Sequence, residues 1–311
     1  MRRFTLSVAM PNYNHAKYLP RAIEGIVEQS RPPDEFLILD DASTDHSVEI
    51  IRAYAQRYPS IRFVRNEHNA GVIAAHQRLY EMATGDYLYS AAADDERYPW
   101  FFEQAMEMAQ RFPHAGLVFG VMVMIDEEGR ELGEIRVRRW REPLYASPER
   151  FLREYLEVEP AAQSAAAATI FRRDAFQEVG WCRPELGSFA DTFALRAIAL
   201  RHGACYVPER FAAWRRVPQS FSHQSASDAR HALDVVARAA RLMRSPEFAG
   251  RFPPDYVARW RRRQKWQTIW NTFLGEAAGP AAERSRFWAR NLRRLKRVPG
   301  CVPLVLYQGR P

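Results

Sequence analysis

Phe36-Leu37-Ile38-Leu39-Asp40-Asp41-Ala42-Ser43-Thr44-Asp45 reads as a buried strand that stops on two carboxylates and turns toward a helix. Four consecutive apolar residues suit a parallel sheet covered on both faces, and Asp-Asp-Ala-Ser-Thr supplies turn and helix-capping chemistry. The same pattern returns in Tyr87-Leu88-Tyr89-Ser90-Ala91-Ala92-Ala93-Asp94-Asp95. Carboxylates crowded at a strand end are costly to desolvate together unless something positive or hydrogen-bond-donating sits between them. A nucleotide with its metal ion meets that need. In open α/β sheets ligands bind outside the carboxyl ends of the strands, so these two acidic ends are expected to face one crevice.

Outward from this stretch the first half alternates strands and helices. Strands are predicted over Phe4–Met10, Phe36–Leu39, Ile61–Arg65, Tyr87–Ser90 and Gly116–Ile125. Helices are predicted over Leu19–Gln29, Ser47–Tyr58, Val72–Thr84 and Trp100–Phe112, with stops at Arg31-Pro32-Pro33, Pro59 and Gly85. Such alternation implies parallel βαβ units. An Asp126-Glu127-Glu128-Gly129 turn follows. Residues 136–160 read as a loop with one short helix after Ser147-Pro148, where serine can cap and proline can occupy the first helical position. Ala161–Ala168 reads as a packed segment leading into an Ile170-Phe171 strand.

The 311 residues are 47% hydrophobic and 26% charged, the composition of a soluble globular protein. Three cysteines, Cys182, Cys205 and Cys301, stand in no metal-binding spacing; they read as packing residues in a reducing compartment. Thr5 and Ser7 interrupt the apolar run after Met1-Arg2-Arg3, which therefore reads as a first strand and not a signal peptide. No stretch approaches the ~18 apolar residues of a membrane span.

Charge is unevenly placed. From Ala226 to Pro311 the chain carries 18 Lys/Arg against 6 Asp/Glu, a net +12, so the remainder of this +8 protein carries −4. Arg259–Lys265 holds five of those cations in seven residues, beside Trp260, Trp266 and Trp270. Two readings of this basic helical tail stand open: a surface that seats anionic lipid with tryptophan at the interface, or a solvated face with a buried tryptophan seam. No nucleic-acid module is recognisable, and nucleic acid is not expected as a partner.

Five ordered elements together resemble family 2 glycosyltransferases of the GT-A fold: Ser7–Asn14, Asp40–Asp45, Asn69-Ala70-Gly71, Ala83–Leu88, and Ala93-Asp94-Asp95 with Pro99. The resemblance covers about residues 5–215 and implies a Rossmann-like, mostly parallel α/β sheet flanked by helices. It implies inverting transfer from a nucleotide-sugar, a UDP-sugar by expectation, with Mn²⁺ or Mg²⁺ on the diphosphate. By resemblance, Pro11, Asn12, Tyr13 and Asn14 form the loop against which the base lies, and Asp40 or Asp41 accepts its N–H. Ser43 to Asp45 cap the following helix, and Asn69 and Gly71 border the nucleotide. Asp94 and Asp95 occupy the metal motif, Asp94 also reaching the nucleotide, although Ala92 stands where the motif's first aspartate is usual. Gly187–Arg196 resembles the acceptor-side segment, in which Asp191 is the expected catalytic base while Ala190 and Phe193 replace acidic residues. His76, Arg215, Arg216 and His223 are candidate diphosphate contacts.

The expected division is a nucleotide-sugar half over 1–115, an acceptor half of the same domain over 116–225, and a basic helical extension over 226–311. The implied activity is transfer to a hydroxyl on a saccharide or lipid-linked acceptor in surface-polysaccharide or glycan assembly. The implied place is the cytoplasm, at the inner face of a membrane. Ala92, Ala190 and Phe193 also motivate a non-catalytic nucleotide-sugar binder or scaffold of the same fold.

Overall fold

The computed structural model describes residues 2–158, 166–217 and 229–277. The chain falls into two units, one ending at Arg261 and the other beginning at Arg262. In the first unit, β1 (Leu6–Asn12), α1 (Leu19–Val27), β2 (Glu35–Asp40), α2 (Ser47–Arg57), β3 (Ile61–Arg65), α3 (Val72–Met82) and β4 (Tyr87–Ser90) are the predicted alternation. Next come β5 (Glu96–Arg97), α4 (Phe101–Arg111), β6 (Leu117–Ile125), β7 (Glu131–Ile135), β8 (Leu144–Ala146) and α5 (Pro148–Phe151). The remainder is β9 (Thr169–Arg172), α6 (Arg173–Glu178), α7 (Ala190–His202), β10 (Ala204–Arg215), α8 (Ala229–Leu242) and α9 (Pro254–Ala277), the last crossing into the second unit.

The sheet runs β3-β2-β1-β4-β9-β6-β10-β5, with β7 beside β6 and β8 beside β10. β1 to β4 are mutually parallel and β10 is parallel to β6, whereas β9 runs antiparallel between β4 and β6. Strand side chains alternate faces, and the two cores follow that alternation. Leu6, Val8, Met10, Phe36 and Ile38 meet α1 and α4; Ala9, Leu37 and Leu39 meet α3. The first strand extends two residues past its predicted end, because Pro11 and Asn12 pair in register with Leu39 and Asp40.

Two regions depart further from expectation. Residues 136–158 are packed around Trp140, which stacks on Tyr155 and is buried with Phe151. Within that region Ser147 Oγ accepts Arg150 N, the expected cap with proline in the first turn. The second is the start of the basic helical segment, whose residues up to Arg261 belong to the first compact unit. Phe193 of α7 meets Phe248 edge-on at 5.0 Å and stacks on Phe252 at 5.7 Å, and Trp260 packs on Phe189 at 5.3 Å. Trp260 is therefore a core residue of the first unit and not an interfacial anchor. In the second unit Arg262, Arg263, Lys265 and Trp266 are exposed along the helix, and the side chain of Trp270 lies outside the described set. No helix among the described residues is long and apolar enough to cross a membrane.

Candidate active site

The carboxyl ends of β1 and β2 are tied into one rigid rim. Asp40 is fully buried; its Oδ2 accepts Asn12 Nδ2 at 2.9 Å, its Oδ1 accepts Ser43 N at 3.0 Å, and Arg65 Nε stands 3.6 Å away. Asp41 leaves on the opposite face. There Oδ1 accepts Asn66 Nδ2 at 2.6 Å and Ala70 N at 2.9 Å, while Oδ2 accepts Gly71 N at 2.8 Å. Gly71 also donates to Asn69 Oδ1, adopts φ 88°, and has nothing within 4 Å of where a Cβ would stand. A left-handed backbone of this kind favours glycine, and here it borders open space.

Asn14, at φ 57°, knits the same rim: its Oδ1 accepts Thr44 N at 2.8 Å, and its N–H donates to Ser43 Oγ at 2.9 Å. Ser43 and Thr44 thus serve the β1 loop and not the helix, and only Asp45 acts at the start of α2, accepting Ser47 N at 3.0 Å. Pro11 is buried within β1, whereas Tyr13 is 42% exposed and presents a ring for stacking.

The loop after β4 is held by two buried arginines. Arg97 donates to Tyr89 Oη, to the Asp95 carbonyl and to the Ala92 carbonyl. Arg215, 3% exposed, donates Nε–H to the Asp94 carbonyl and Nη1–H to the carbonyls of Asp126 and Glu127; its Nη2 pairs with Glu96, and its backbone N–H reaches Asp95 Oδ1 at 2.8 Å. All three guanidinium nitrogens have protein partners, so Arg215 braces this loop, and it also lines the cavity beside the acidic pair. Both arginines grip backbone carbonyls, which leaves the acids themselves available.

Among the described residues Asp94's carboxylate accepts no hydrogen bond, and Asp95 accepts only the Arg215 N–H. Burial, then the neighbouring Asp94 charge, pushes the Asp95 carboxyl up to about 7. Burial and a like-charged neighbour both favour the protonated form. A cavity of about 190 Å³ opens beside the pair, lined also by Lys17, Tyr18, Arg21, Glu127 and Glu128. No group of three or more His, Cys, Asp or Glu that could hold a metal ion occurs among the described residues. Two carboxylate groups nevertheless suit Mg²⁺ or Mn²⁺, which complete their coordination with phosphate oxygens and water.

The third station is Asp191, at the start of α7 beside Cys182 and Tyr80. Burial raises its carboxyl above the ordinary range against the pull of Thr192 N–H and the Arg196 guanidinium. Cys182 is pushed up to about 12 by burial and then by the Asp191 charge. Tyr80 Oη lies 3.6 Å from Cys182 Sγ and 2.7 Å from Ser90 Oγ, which links this pocket to the end of β4. A carboxyl whose proton affinity is raised is suited to general-base work. Ala190 and Phe193 are buried in the core between α7 and the segment that follows α8, so packing accounts for the acidic residues they replace.

His76 is half-buried, with Nδ1 2.9 Å from the Val72 carbonyl, and burial lowers it to about 4. Arg216 is exposed, and His223 lies outside the described residues. Sequence reading missed the clamp residue Arg97 and the neighbours Tyr80 and Ser90. Arg97 stands two residues past the acidic pair, and an arginine that close to two aspartates is the one signal available for it.

A parallel sheet joined through antiparallel β9, with its acidic loop after β4, is the GT-A glycosyltransferase architecture. Solved structures agree. The chain is similar to Staphylococcus aureus TarS 1-349 in complex with UDP-GlcNAc, with a TM-score of 0.69 at 16% identity over 91% of this chain and 78% of that one. It is similar also to the mannosyltransferase PcManGT from Pyrobaculum calidifontis in complex with GDP-Man and Mn²⁺, with a TM-score of 0.60 at 18% identity over 96% and 82% of the two chains. Residues 7–180, more than half of the sequence, match Glycosyl transferase family 2, and the chain belongs to that family.

Among curated relatives, the uncharacterized glycosyltransferase YibD of Escherichia coli K12 is 41% identical over 33% of this chain and 30% of its own length. The uncharacterized glycosyltransferase MJ1057 of Methanocaldococcus jannaschii is 31% identical over 50% of this chain and 54% of its own length. The chain thus spans about a third to a half of these relatives.

Proposed function

We propose that the protein transfers a sugar, with inversion, from a UDP-sugar to a hydroxyl on a saccharide or lipid-linked acceptor in surface-glycan assembly. The observation that carries this reading is the pair Asp94 and Asp95, held by Arg97 and Arg215 through main-chain carbonyls so that, of the four carboxylate oxygens, only Asp95 Oδ1 is claimed among the described residues. Those oxygens would hold Mn²⁺ or Mg²⁺, which when bound neutralises the donor diphosphate. Asp40 or Asp41 accepts the base N–H from a position the protein has already fixed, and the Tyr13 ring covers the base. The open space at Gly71 admits the nucleotide close to the backbone. Asp191 takes the proton of the acceptor hydroxyl as its oxygen attacks the anomeric carbon from the face opposite the leaving diphosphate.

A thermal-shift panel of UDP, GDP, dTDP and CMP, with and without Mn²⁺, tests this reading. A ligand at 100 times its dissociation constant adds about 2.7 kcal/mol of stability. We expect the largest shift for UDP with Mn²⁺; no shift with any nucleotide would sink the donor assignment. The non-catalytic alternative draws less support, since Ala190 and Phe193 have a packing role. For the exposed Arg262, Arg263, Lys265 and Trp266 we propose contact with an anionic membrane, each cation contributing on the order of 1 kcal/mol, screened by salt. Sedimentation with phosphatidylglycerol vesicles should be strong in low salt and weak in high salt, and equal partition onto neutral vesicles would remove the membrane from the account.

A further inference from the structure

Val72, His76 and Tyr80 recur at i, i+4 and i+8 along α3 and so form one stripe on that helix. The stripe has defined ends. It starts beside Gly71, whose N–H binds Asp41 on the nucleotide rim, and finishes at Tyr80, whose hydroxyl reaches Ser90 and Cys182 next to Asp191. A donor lying from the Asp41 rim toward Asp191 would place its sugar against the middle of the stripe, where His76 stands.

One nitrogen of the imidazole is fixed there, and burial, which lowers the ring to about 4, keeps it neutral near pH 7. Nδ1 faces the Val72 carbonyl at 2.9 Å, an acceptor only, so Nδ1 carries the hydrogen. The ring lies 5.5 Å from that of Tyr80, tilted 38°. No described carboxylate pairs with it, and Nε2 has no hydrogen-bond partner among the described residues. A neutral ring with Nδ1–H has a bare lone pair on Nε2. It accepts hydrogen bonds and presents no positive charge to a phosphate.

Resting on the donor reading above, we propose that His76 is a specificity-determining residue whose Nε2 accepts a hydrogen bond from a hydroxyl of the donor sugar. The resemblance points to a diphosphate contact at this position; the geometry favours a sugar contact instead.

The test compares nucleotide with nucleotide-sugar in the full chain. Dissociation constants of UDP, UDP-glucose, UDP-galactose and UDP-N-acetylglucosamine are measured by calorimetry in Mn²⁺ for wild type, His76→Phe and His76→Gln. Phenylalanine keeps the ring on Tyr80 without the acceptor, while glutamine restores an acceptor carbonyl. For the best-bound sugar, the preference over UDP should fall about tenfold in His76→Phe, the size of one hydrogen bond, and return in His76→Gln with UDP affinity unchanged throughout. Equal weakening of UDP and UDP-sugar in His76→Phe, or an unchanged preference, overturns the inference alone. Failure of wild type to bind any of the four ligands overturns the donor reading and this inference with it.

Discussion

Two aspartate pairs stand at strand ends with nearly the same sequence setting, and the fold treats their side chains in opposite ways. Asp40 and Asp41 are split to opposite faces, and every carboxylate oxygen meets at least one protein donor. Asp94 and Asp95 share one loop, with their backbone clamped and their side chains largely unclaimed. The first pair builds a rim. In the second, burial and then the neighbouring Asp94 charge raise the 3%-exposed Asp95 carboxyl to about 7.

The sharpest way to break this contrast is Asp41→Ala. It removes the acceptor of Asn66 and Ala70 and leaves Gly71 only Asn69, and losing such a partner costs about 1–3 kcal/mol each. We expect a loss of about 3 kcal/mol or more in denaturant unfolding; a loss under about 1 kcal/mol would mean the rim does not depend on this carboxylate. Asp191→Asn probes the half-buried carboxyl proposed as the base. Turnover should fall by about 10² or more, some 2.7 kcal/mol of barrier, with UDP affinity nearly intact, and near wild-type turnover would remove Asp191 from the mechanism.

A smaller effect separates the pairs by pH. Asp95 holds its proton to about pH 7 in the folded chain and to the ordinary 3.8 when unfolded. The folded state therefore binds more protons between those values, and stability should fall as pH rises from about 4 through about 7, then level off. Chemical denaturation at pH 5 and pH 8 without divalent cations should display the slope in wild type and a flatter profile in Asp95→Asn. The variant should also match or exceed wild-type stability at pH 8 and lose the response to Mn²⁺. Equal slopes in the two proteins would assign the titration to another group.

Much of the first hundred residues was legible, because apolar runs and helical spacing alternate with clear stops such as Pro59 and Gly85. β10 was not, since its register slips between Tyr206 and Arg210 and again before Ala212, which erases the two-residue period. Nor could a local reading tell that Phe193 faces Phe248 and Phe252, so a packing residue looked like a damaged motif. The two acidic pairs were visible as pairs. Their difference was not, because it rests on donors distant in the chain: Ala70 for one, Arg215 for the other.

That last contact also sets an order of events during synthesis. Asp95 and Arg215 are separated by 120 positions, and the same arginine gathers the carbonyls of Asp94, Asp126 and Glu127. A nascent chain that has already formed its first four parallel strands still lacks the brace of its acidic loop until β10 leaves the ribosome and docks. Closing so long a loop is slow relative to local pairing. The acidic loop proposed to hold the ion is therefore complete only once β10 is in place, and an N-terminal fragment ending before β10 lacks that brace.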